Sequence, residues 1–328
     1  MGTDILLSFS CTDCELLSKS LERLNILIDE HKEAMNLDEL SQFKTDFNRN
    51  SEAILNWKRH QLRSVHQDHA RDHVLDQLDG SSVFIVMDWA MKWLETKYRE
   101  KQSEWFGKKG LPWHLVVVIR RQRVHPGMAV VASSKVFEHR TLCHVFDQCK
   151  QDALSIVSIL KDVLVSLKMD DQALKFVYLR SDNGACYHST ITTTAVKEIQ
   201  DSTGVFIRRI DFSEPQAGKG PCDRRAAVIK GEVRRYIDEK HNCTNSTEFV
   251  AAAKSTSHLS LFSSKFQIEE NNSSLTNTSN RSPKATWPGI ASIFNIEYEF
   301  IPIDQASSSS TNRTSSNVSY ASEIASFD

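Results

Sequence analysis

The sequence predicts an α/β fold in which a mixed five-stranded sheet is flanked by helices. Two observations predict it. Short apolar runs of strand length alternate with amphipathic stretches of helix length from residue 82 to about residue 256. The 328 residues, 40% of them hydrophobic, can bury one substantial core with extensions, or at most two domains.

Three segments are predicted along the chain. Residues 1–80 form a helical N-terminal extension, because "LLSKSLERLNILI" repeats Leu or Ile at steps of three and four. Residues 81–256 form the α/β core. Residues 257–328 are rich in Ser, Asn and Thr, and we expect them to be largely disordered. The apolar island within them could add a strand at 287–303.

The core is predicted element by element. Its strands are, in order, "VFIVM", "WHLVVVIRR", "TLCHVF", a run from Phe176 to Leu179, and "VFIRRIDF". Its helices are "DALSIVSILKDVLVSL" after the third strand, "HSTITTTAVKEIQDSTG" after the fourth, and "PCDRRAAVIKGEVRRYIDEKH" after the fifth. Gly204 closes the second helix, and Pro221 lies in the first turn of the third.

Charge is unevenly distributed along the chain. The formal net charge is −2, yet residues 1–80 carry 9 Lys and Arg against 15 Asp and Glu, while residues 92–140 carry 11 against 4. The basic middle favours a surface that faces a polyanion, and an ordinary solvated surface is the alternative. No run of about 18 apolar residues and no signal-peptide pattern is found, so we expect an intracellular protein without a membrane partner. Seven scattered cysteines fit a reducing compartment.

Two predicted strands end on carboxylates. Asp88 follows Val83–Met87, and Asp182 follows the fourth strand in "LRSDNG". Taken singly, each would be an ordinary strand-end or helix-cap aspartate. Taken together they indicate a site for a hard cation, because Mg²⁺ prefers oxygen ligands and clustered acids repel one another unless ions or protons neutralise them.

The element order and these acids resemble the ribonuclease H-like fold of retroviral integrases and DDE/D transposases. "SDNG" followed by an aromatic residue is similar to the second-acid motif of integrases, and "PQAGKGPCDRRAAVIK" resembles the stretch around their third acid. The whole chain also looks like transposon-derived open reading frames of animal genomes. The resemblance implies a DNA-binding polynucleotidyl transferase that uses Mg²⁺ or Mn²⁺, with a third carboxylate on the last helix of the core. It also implies a nuclear location.

Two acids on that helix are candidates for the third carboxylate. Glu232 lies nine residues beyond Asp223, about 180° away around a helix, so both cannot face one site. Asp223 shares its side with Lys230 and Arg234, whereas Glu232 flanks the apolar side and is a partner for a nearby Arg. We therefore predict a catalytic and metal-binding set of Asp88, Asp182 and Asp223.

Basic residues near these acids are predicted to contact nucleic acid. Exposed cations can bind phosphates, and the aromatic residues between Trp89 and Trp113 could stack on bases or pack in the core. "AGKG" lacks the spacing of a phosphate loop. The predicted contacts are Lys108, Lys109, Lys219, Arg224, Lys230 and Arg234.

Other constellations are assigned less specific roles. His66, His69 and His73 share one helical face, where exposure to solvent is expected rather than a metal. Cys186 and His188 are expected to pack. Cys11 and Cys14 form a lone CxxC without a partner histidine at finger spacing.

The predicted function is a transposase- or integrase-like polynucleotidyl transferase or nuclease that cleaves DNA phosphodiesters by two-metal chemistry. The expected partners are nucleic acid, DNA in particular, and a second copy of the chain. The alternatives are a catalytically inactive, domesticated or decayed transposon-derived protein that binds nucleic acid, and an interaction module whose acids are structural.

Overall fold

The structure is a computed structural model, and it describes residues 12–122, 137–214, 220–255, 261–265 and 293–298. The chain divides into two units, Met1–His66 and Gln67–Asp328. The three predicted domains stay a prediction. Most of the predicted disordered tail lies outside the described residues. Among those residues, no helix is long and apolar enough to cross a membrane.

The N-terminal extension is helical, as predicted. Helix α1 spans Thr12–Glu30 and α2 spans Leu37–Gln77. A reciprocal cap starts α2: the Asn36 side chain accepts a hydrogen bond from the Glu39 amide at 2.8 Å, and the Glu39 carboxylate accepts one from the Asn36 amide at 3.4 Å. Local sequence therefore determines where this long helix begins.

A mixed sheet forms the centre of the second unit, and its arrangement is ribonuclease H-like. Its first five strands occupy neighbouring positions in the order β3-β2-β1-β4-β5. Strand β2 runs antiparallel to β1 and β3, whereas β1, β4 and β5 are parallel to one another. The five strands are β1 Ser82–Trp93, β2 Leu111–Arg121, β3 Phe137–Val145, β4 Phe176–Asp182 and β5 Phe206–Ser213.

Two short strands extend the five predicted ones. Strand β6, Leu261–Lys265, pairs parallel with β3, and β7, Asn295–Glu297, pairs antiparallel with β5. In the described residues the sheet therefore has seven strands. β7 falls inside the interval 287–303 that carries the apolar island, and Ile296 within it is buried.

The helices of the core begin and end on the capping residues that the sequence supplies. Helix α3 spans Ala153–Asp170, α4 spans Thr190–Thr203 and α5 spans Pro221–Asp238. The Asp152 and Ser189 side chains cap the amino ends of α3 and α4, and Gly204 ends α4 in a left-handed conformation, φ 67°. A further helix, α6 at Ser246–Lys254, was not predicted.

Each face of the sheet buries its own apolar cluster. Val83, Ile85 and Met87 point towards the cluster that α3 and α4 cover, and Phe84 points towards the cluster that α5 and α6 cover. This alternation is the two-residue period of a strand. The last turns of α2 join the α5 side through the buried Val74.

The first strand is longer than predicted. The apolar run predicts an end at Asp88, but β1 continues to Trp93, because antiparallel pairing with β2 holds it through Ala90 and Trp93. A register shift lies between those two residues. Asp88 is therefore an internal residue of the strand, and residues 94–110 form the connection to β2.

Candidate metal centre

Strand register brings the first two aspartates side by side. Strands β1 and β4 pair in parallel with Ser82 opposite Phe176 and Val86 opposite Arg180. The same offset, continued by two residues beyond the last strand pair, sets Asp88 beside Asp182. The two-residue period also directs both side chains to the α5 face, because Phe84 and Tyr178 share their parity and belong to that cluster.

The turn after β4 fixes the second aspartate. Asp182 ends the strand, and its Oδ1 accepts a hydrogen bond from the Gly184 amide at 3.1 Å. A Cβ on residue 184 would lie 3.0 Å from Asp182 Oδ1 and 3.4 Å from Oδ2. Glycine therefore allows the chain to turn closely around this carboxylate, which explains why a glycine follows two residues after Asp182.

The first turn of α5 carries the third aspartate. Asp223 is exposed, and its Oδ2 accepts a hydrogen bond from the Gly220 amide at 2.8 Å, which satisfies the N-cap amide at the start of the helix. Glu232 accepts a hydrogen bond from Arg235 Nε at 3.0 Å on the same helix. Asp223, and not Glu232, is the α5 acid that acts electrostatically on Asp88.

The three carboxylates crowd one another at Asp88. Burial, and then the negative charges of Asp182 and Asp223, raise the pKa of Asp88 from 3.8 to about 7. Among the described residues no three His, Cys, Asp or Glu side chains are already arranged to hold a metal ion. The oxygen donors and their mutual repulsion nevertheless fit a hard cation, because a bound cation would remove the repulsion.

Two thiols border the carboxylates, and one of them, Cys222, was not predicted to lie near the site. Burial, followed by the charges of Asp88 and Asp223, raises the pKa of Cys222, whose Sγ lies 3.4 Å from the Val86 carbonyl oxygen. Burial and the charges of Asp182 and Asp88 also raise the pKa of Cys186. Both thiols therefore stay protonated, and they add no negative charge to the site.

A buried hydrogen bond ties the turn after Asp182 to the sheet. The Tyr187 hydroxyl lies 2.9 Å from His114 Nε2, and both residues are buried. Burial and the charge of Asp88 hold the pKa of Tyr187 well above its usual range. Burial and neighbouring His144 hold the pKa of His114 well below 6.5, so a neutral imidazole meets a neutral phenol. The contact therefore links the loop that follows Asp182 to the middle of β2.

Tyr187→Phe should destabilise the protein by about 1–3 kcal/mol in urea denaturation, because it leaves the buried His114 Nε2 without its partner. His114 Nδ1 has no hydrogen-bond partner among the described residues either, so the ring cannot compensate. A double-mutant cycle with His114→Phe measures the coupling directly, and about 0.5–3 kcal/mol is expected for residues in contact. Strictly additive effects would contradict this account.

The basic residues that were predicted to bind nucleic acid differ in their exposure to solvent. The side chain of Lys108 is only 7% exposed, and its Nζ lies 2.6 Å from Glu100 Oε2 in a part-buried ion pair, which leaves this cation poorly placed to meet a phosphate. Lys109 and Arg234 are exposed, and Arg224 is exposed at the start of α5. Lys230 Nζ lies 5.6 Å from the centre of the Trp113 ring. Lys219 lies outside the described residues.

The remaining histidines and cysteines do not form a metal site among the described residues. His188 stacks on Phe212 with ring centroids 4.0 Å apart, and its Nδ1 contacts Asn183. Cys186 packs against the cluster under α3 and α4. Cys14 is a free thiol, whereas Cys11 lies outside the described residues.

Comparison with solved structures found the terminase nuclease domain of human cytomegalovirus in three forms. The Mn-soaked form has 10% identity and a TM-score of 0.27, and covers 63% of this chain and 76% of its own. The Mn-soaked, inhibitor-bound form has 10% identity, TM-score 0.26 and coverage of 62% and 77%. The third form has 13% identity, TM-score 0.26 and coverage of 62% and 75%.

No curated protein matches the chain. One family model, described as "Domain of unknown function (DUF8701)", matches residues 67–305. That range includes all five central strands and all three aspartates of the candidate centre. The match spans well over half of the sequence, and the chain therefore belongs to the DUF8701 family.

Proposed function

We propose that this chain is a metal-dependent nuclease or polynucleotidyl transferase of the transposase and integrase type, acting on phosphodiester bonds of DNA. The observation that carries the proposal is the juxtaposition of Asp88 and Asp182 on one face of two parallel strands, with Asp223 at the start of the helix on that face. Mutual repulsion at the largely buried Asp88 is costly unless the arrangement serves a cation.

Asp88, Asp182 and Asp223 would hold Mg²⁺ or Mn²⁺. Such ions, when bound, make a water nucleophilic near neutral pH and stabilise charge on the leaving oxygen of a phosphodiester. Asp88 remains largely protonated below about pH 7 without a cation. The neutral Cys222 thiol and the Tyr187 phenol border the acids without adding charge. Arg234, exposed on α5, and Lys109 are available to bind the phosphates of the substrate.

One feature of the third acid favours a second candidate, a catalytically inactive protein that binds nucleic acid. The carboxylate of Asp223 already has a structural task, since it caps α5 through the Gly220 amide. An aspartate can be retained for such a cap alone. A test of metal binding at each acid therefore separates the two candidates.

Millimolar Mn²⁺ or Mg²⁺ should raise the melting temperature of the wild type by about 3–6 °C, because a ligand that binds only the folded state adds stability by mass action. Asp182→Asn should remove most of that increase. Asp201→Asn is the matched control, since Asp201 is an exposed aspartate in a surface pair with Lys197. An increase that survives Asp182→Asn, or no increase in the wild type, would contradict the metal-dependent reading.

The pair Asp223→Asn and Glu232→Gln tests the choice of the third acid. Asp223→Asn should weaken the response to metal, whereas Glu232→Gln should leave it unchanged and only alter the surface pair with Arg235. If the chain is an enzyme, cleavage of a labelled DNA duplex in Mn²⁺ should be weakened by Asp223→Asn and left unchanged by Glu232→Gln. A metal response without any cleavage would favour the inactive alternative.

A further inference from the structure

The connection between β1 and β2 is an ordered segment at the carboxylate end of the sheet. We call residues 94–110 the β1–β2 arm. Strand β1 is parallel to β4, so the arm leaves the sheet at the same edge where β4 ends on Asp182. Asp88 lies on the strand that leads into it. The arm therefore begins at the end of the sheet where β4 carries Asp182.

Hydrogen bonds to the segment after α5 hold the arm in place. Thr96 and Cys243 exchange two backbone hydrogen bonds of 2.9 and 2.8 Å, and the Tyr98 amide donates to the Asn242 side chain at 3.0 Å. Inside the arm, the buried Lys108 pairs with Glu100. The arm is therefore already ordered before any ligand binds, so binding does not have to order it.

Two consecutive aromatic rings project from this fixed arm into solvent. Trp105 is 55% exposed and Phe106 is 75% exposed. Lys108 Nζ lies 4.5 Å from the centre of the Trp105 ring, yet more than half of the Trp105 surface stays exposed to solvent. By contrast, Trp93 and Trp113 are buried around Phe249. The sequence left stacking and packing open for these aromatic residues, and the structure separates them into two groups.

The charged residues around the exposed rings indicate which kind of ligand the arm would bind. Two of the three acids of the arm form ion pairs within it, Glu100 with Lys108 and Glu104 with Lys97, and Glu95 is the third. Three further cations of the arm are exposed: Arg99, Lys101 and Lys109. Lysine is depleted in protein–protein interfaces, whereas aromatic rings between cations are the pattern of single-stranded nucleic-acid sites, in which bases stack and phosphates meet positive charge.

We propose that the β1–β2 arm binds unpaired nucleotides of the substrate, with bases stacked on Trp105 and Phe106 and phosphates bound by Lys101 and Lys109. Bases inside a duplex are stacked on each other and cannot reach these rings, so the arm would select a single-stranded end or a frayed segment. The proposal rests on the proposed function for the role of this binding, and adds the class of substrate to it.

Fluorescence anisotropy with a labelled oligothymidylate, measured in EDTA on the full chain, tests the proposal. The double variant Trp105→Ala/Phe106→Ala should bind the single strand about tenfold or more weakly than the wild type. It should bind a duplex of equal length with little change. Trp57→Ala is the matched control, because Trp57 is an equally exposed tryptophan, 61%, on α2. Trp105→Phe should retain most of the affinity, because a phenyl ring still stacks.

Salt dependence separates stacking from charge. Lys101→Ala/Lys109→Ala should reduce the slope of log affinity against log salt by about 1–1.5, because two phosphate contacts are lost. The aromatic variant should retain the wild-type slope. Equal affinity of the wild type and the aromatic variant for the single strand would overturn the proposal. So would an equal loss in Trp57→Ala, or an effect of the aromatic variant on self-association instead of nucleic-acid binding.

Failure of single-strand binding and failure of the metal-dependent function give different results. Binding in EDTA does not require a metal ion, so the loss of affinity in the aromatic variant is measured without the cation of the proposed function. If metal fails to stabilise the protein while the aromatic variant still loses single-strand affinity, only the enzymatic reading fails. If metal stabilises the protein and the aromatic variant binds normally, only the arm proposal fails.

Discussion

The Asp88→Asn variant is expected to be more stable than the wild type above pH 7 in EDTA, and to lose the response to metal. In the folded protein the pKa of Asp88 is about 7, against an ordinary value of 3.8. Between these values the folded state holds a proton that the unfolded chain releases, so wild-type stability falls as pH rises from about 4 to about 7. Above pH 7 the full cost of the buried charge remains.

The expected gain from Asp88→Asn at pH 8 is at most about 4 kcal/mol, since each tenfold change in proton affinity corresponds to about 1.4 kcal/mol. Urea denaturation at pH 5 and pH 8 checks it, with Asp201→Asn as the exposed control. Millimolar Mn²⁺ should narrow the difference between wild type and variant at pH 8, because it stabilises only the wild type. A variant that is less stable than the wild type at pH 8 in EDTA would show that Asp88 is not crowded by Asp182 and Asp223.

Trp113→Ala should destabilise the protein by about 3–5 kcal/mol, the usual cost of deleting a large buried aromatic ring. Trp113 is fully buried, its ring centroid lies 5.2 Å from that of Phe249, and its Nε1 donates a hydrogen bond to the Met91 carbonyl at 2.8 Å. The substitution would leave a cavity beneath α5 and α6 and an unpaired carbonyl on β1. The loss should therefore extend to the position of α5, which carries Asp223.

Urea denaturation measures this loss, and Trp57→Ala is the control. Trp57 is 61% exposed, so its removal should change the free energy of unfolding by no more than about 0.5 kcal/mol. Trp113→Phe, which keeps a ring in the core, should cost less than Trp113→Ala. A loss below about 1 kcal/mol in Trp113→Ala would mean that the α5 face of the sheet is not packed as described.

Local sequence was sufficient to predict the elements whose cause is local. Ser189 and Gly204 bound α4 because capping uses residues next to the helix. The apolar residues of α5, Ala226, Ile229 and Val233, face the sheet because helical period alone assigns them to one side. The central strands were found for the same reason, since continuous apolar runs mark strands that are buried on both faces.

The tertiary structure decided what depends on partners distant in the chain. The end of β1 depends on pairing with β2, and the alignment of Asp88 with Asp182 depends on the register between β1 and β4, which no local pattern encodes. The internal pairing of Lys108 with Glu100 depends on the course of the arm, so composition suggested a nucleic-acid contact where the fold made an ion pair.

The same division holds for the aromatic residues between β1 and β2. By itself, the sequence determined that tryptophans and cations would be interleaved there, and that two aspartates would follow apolar runs. Only the tertiary structure decided that Trp113 fills the core while Trp105 faces solvent, because burial depends on whether α6 and its Phe249 cover a ring. Residue type fixes the chemistry that a side chain can perform, whereas packing across the sheet fixes which side chains remain accessible to perform it.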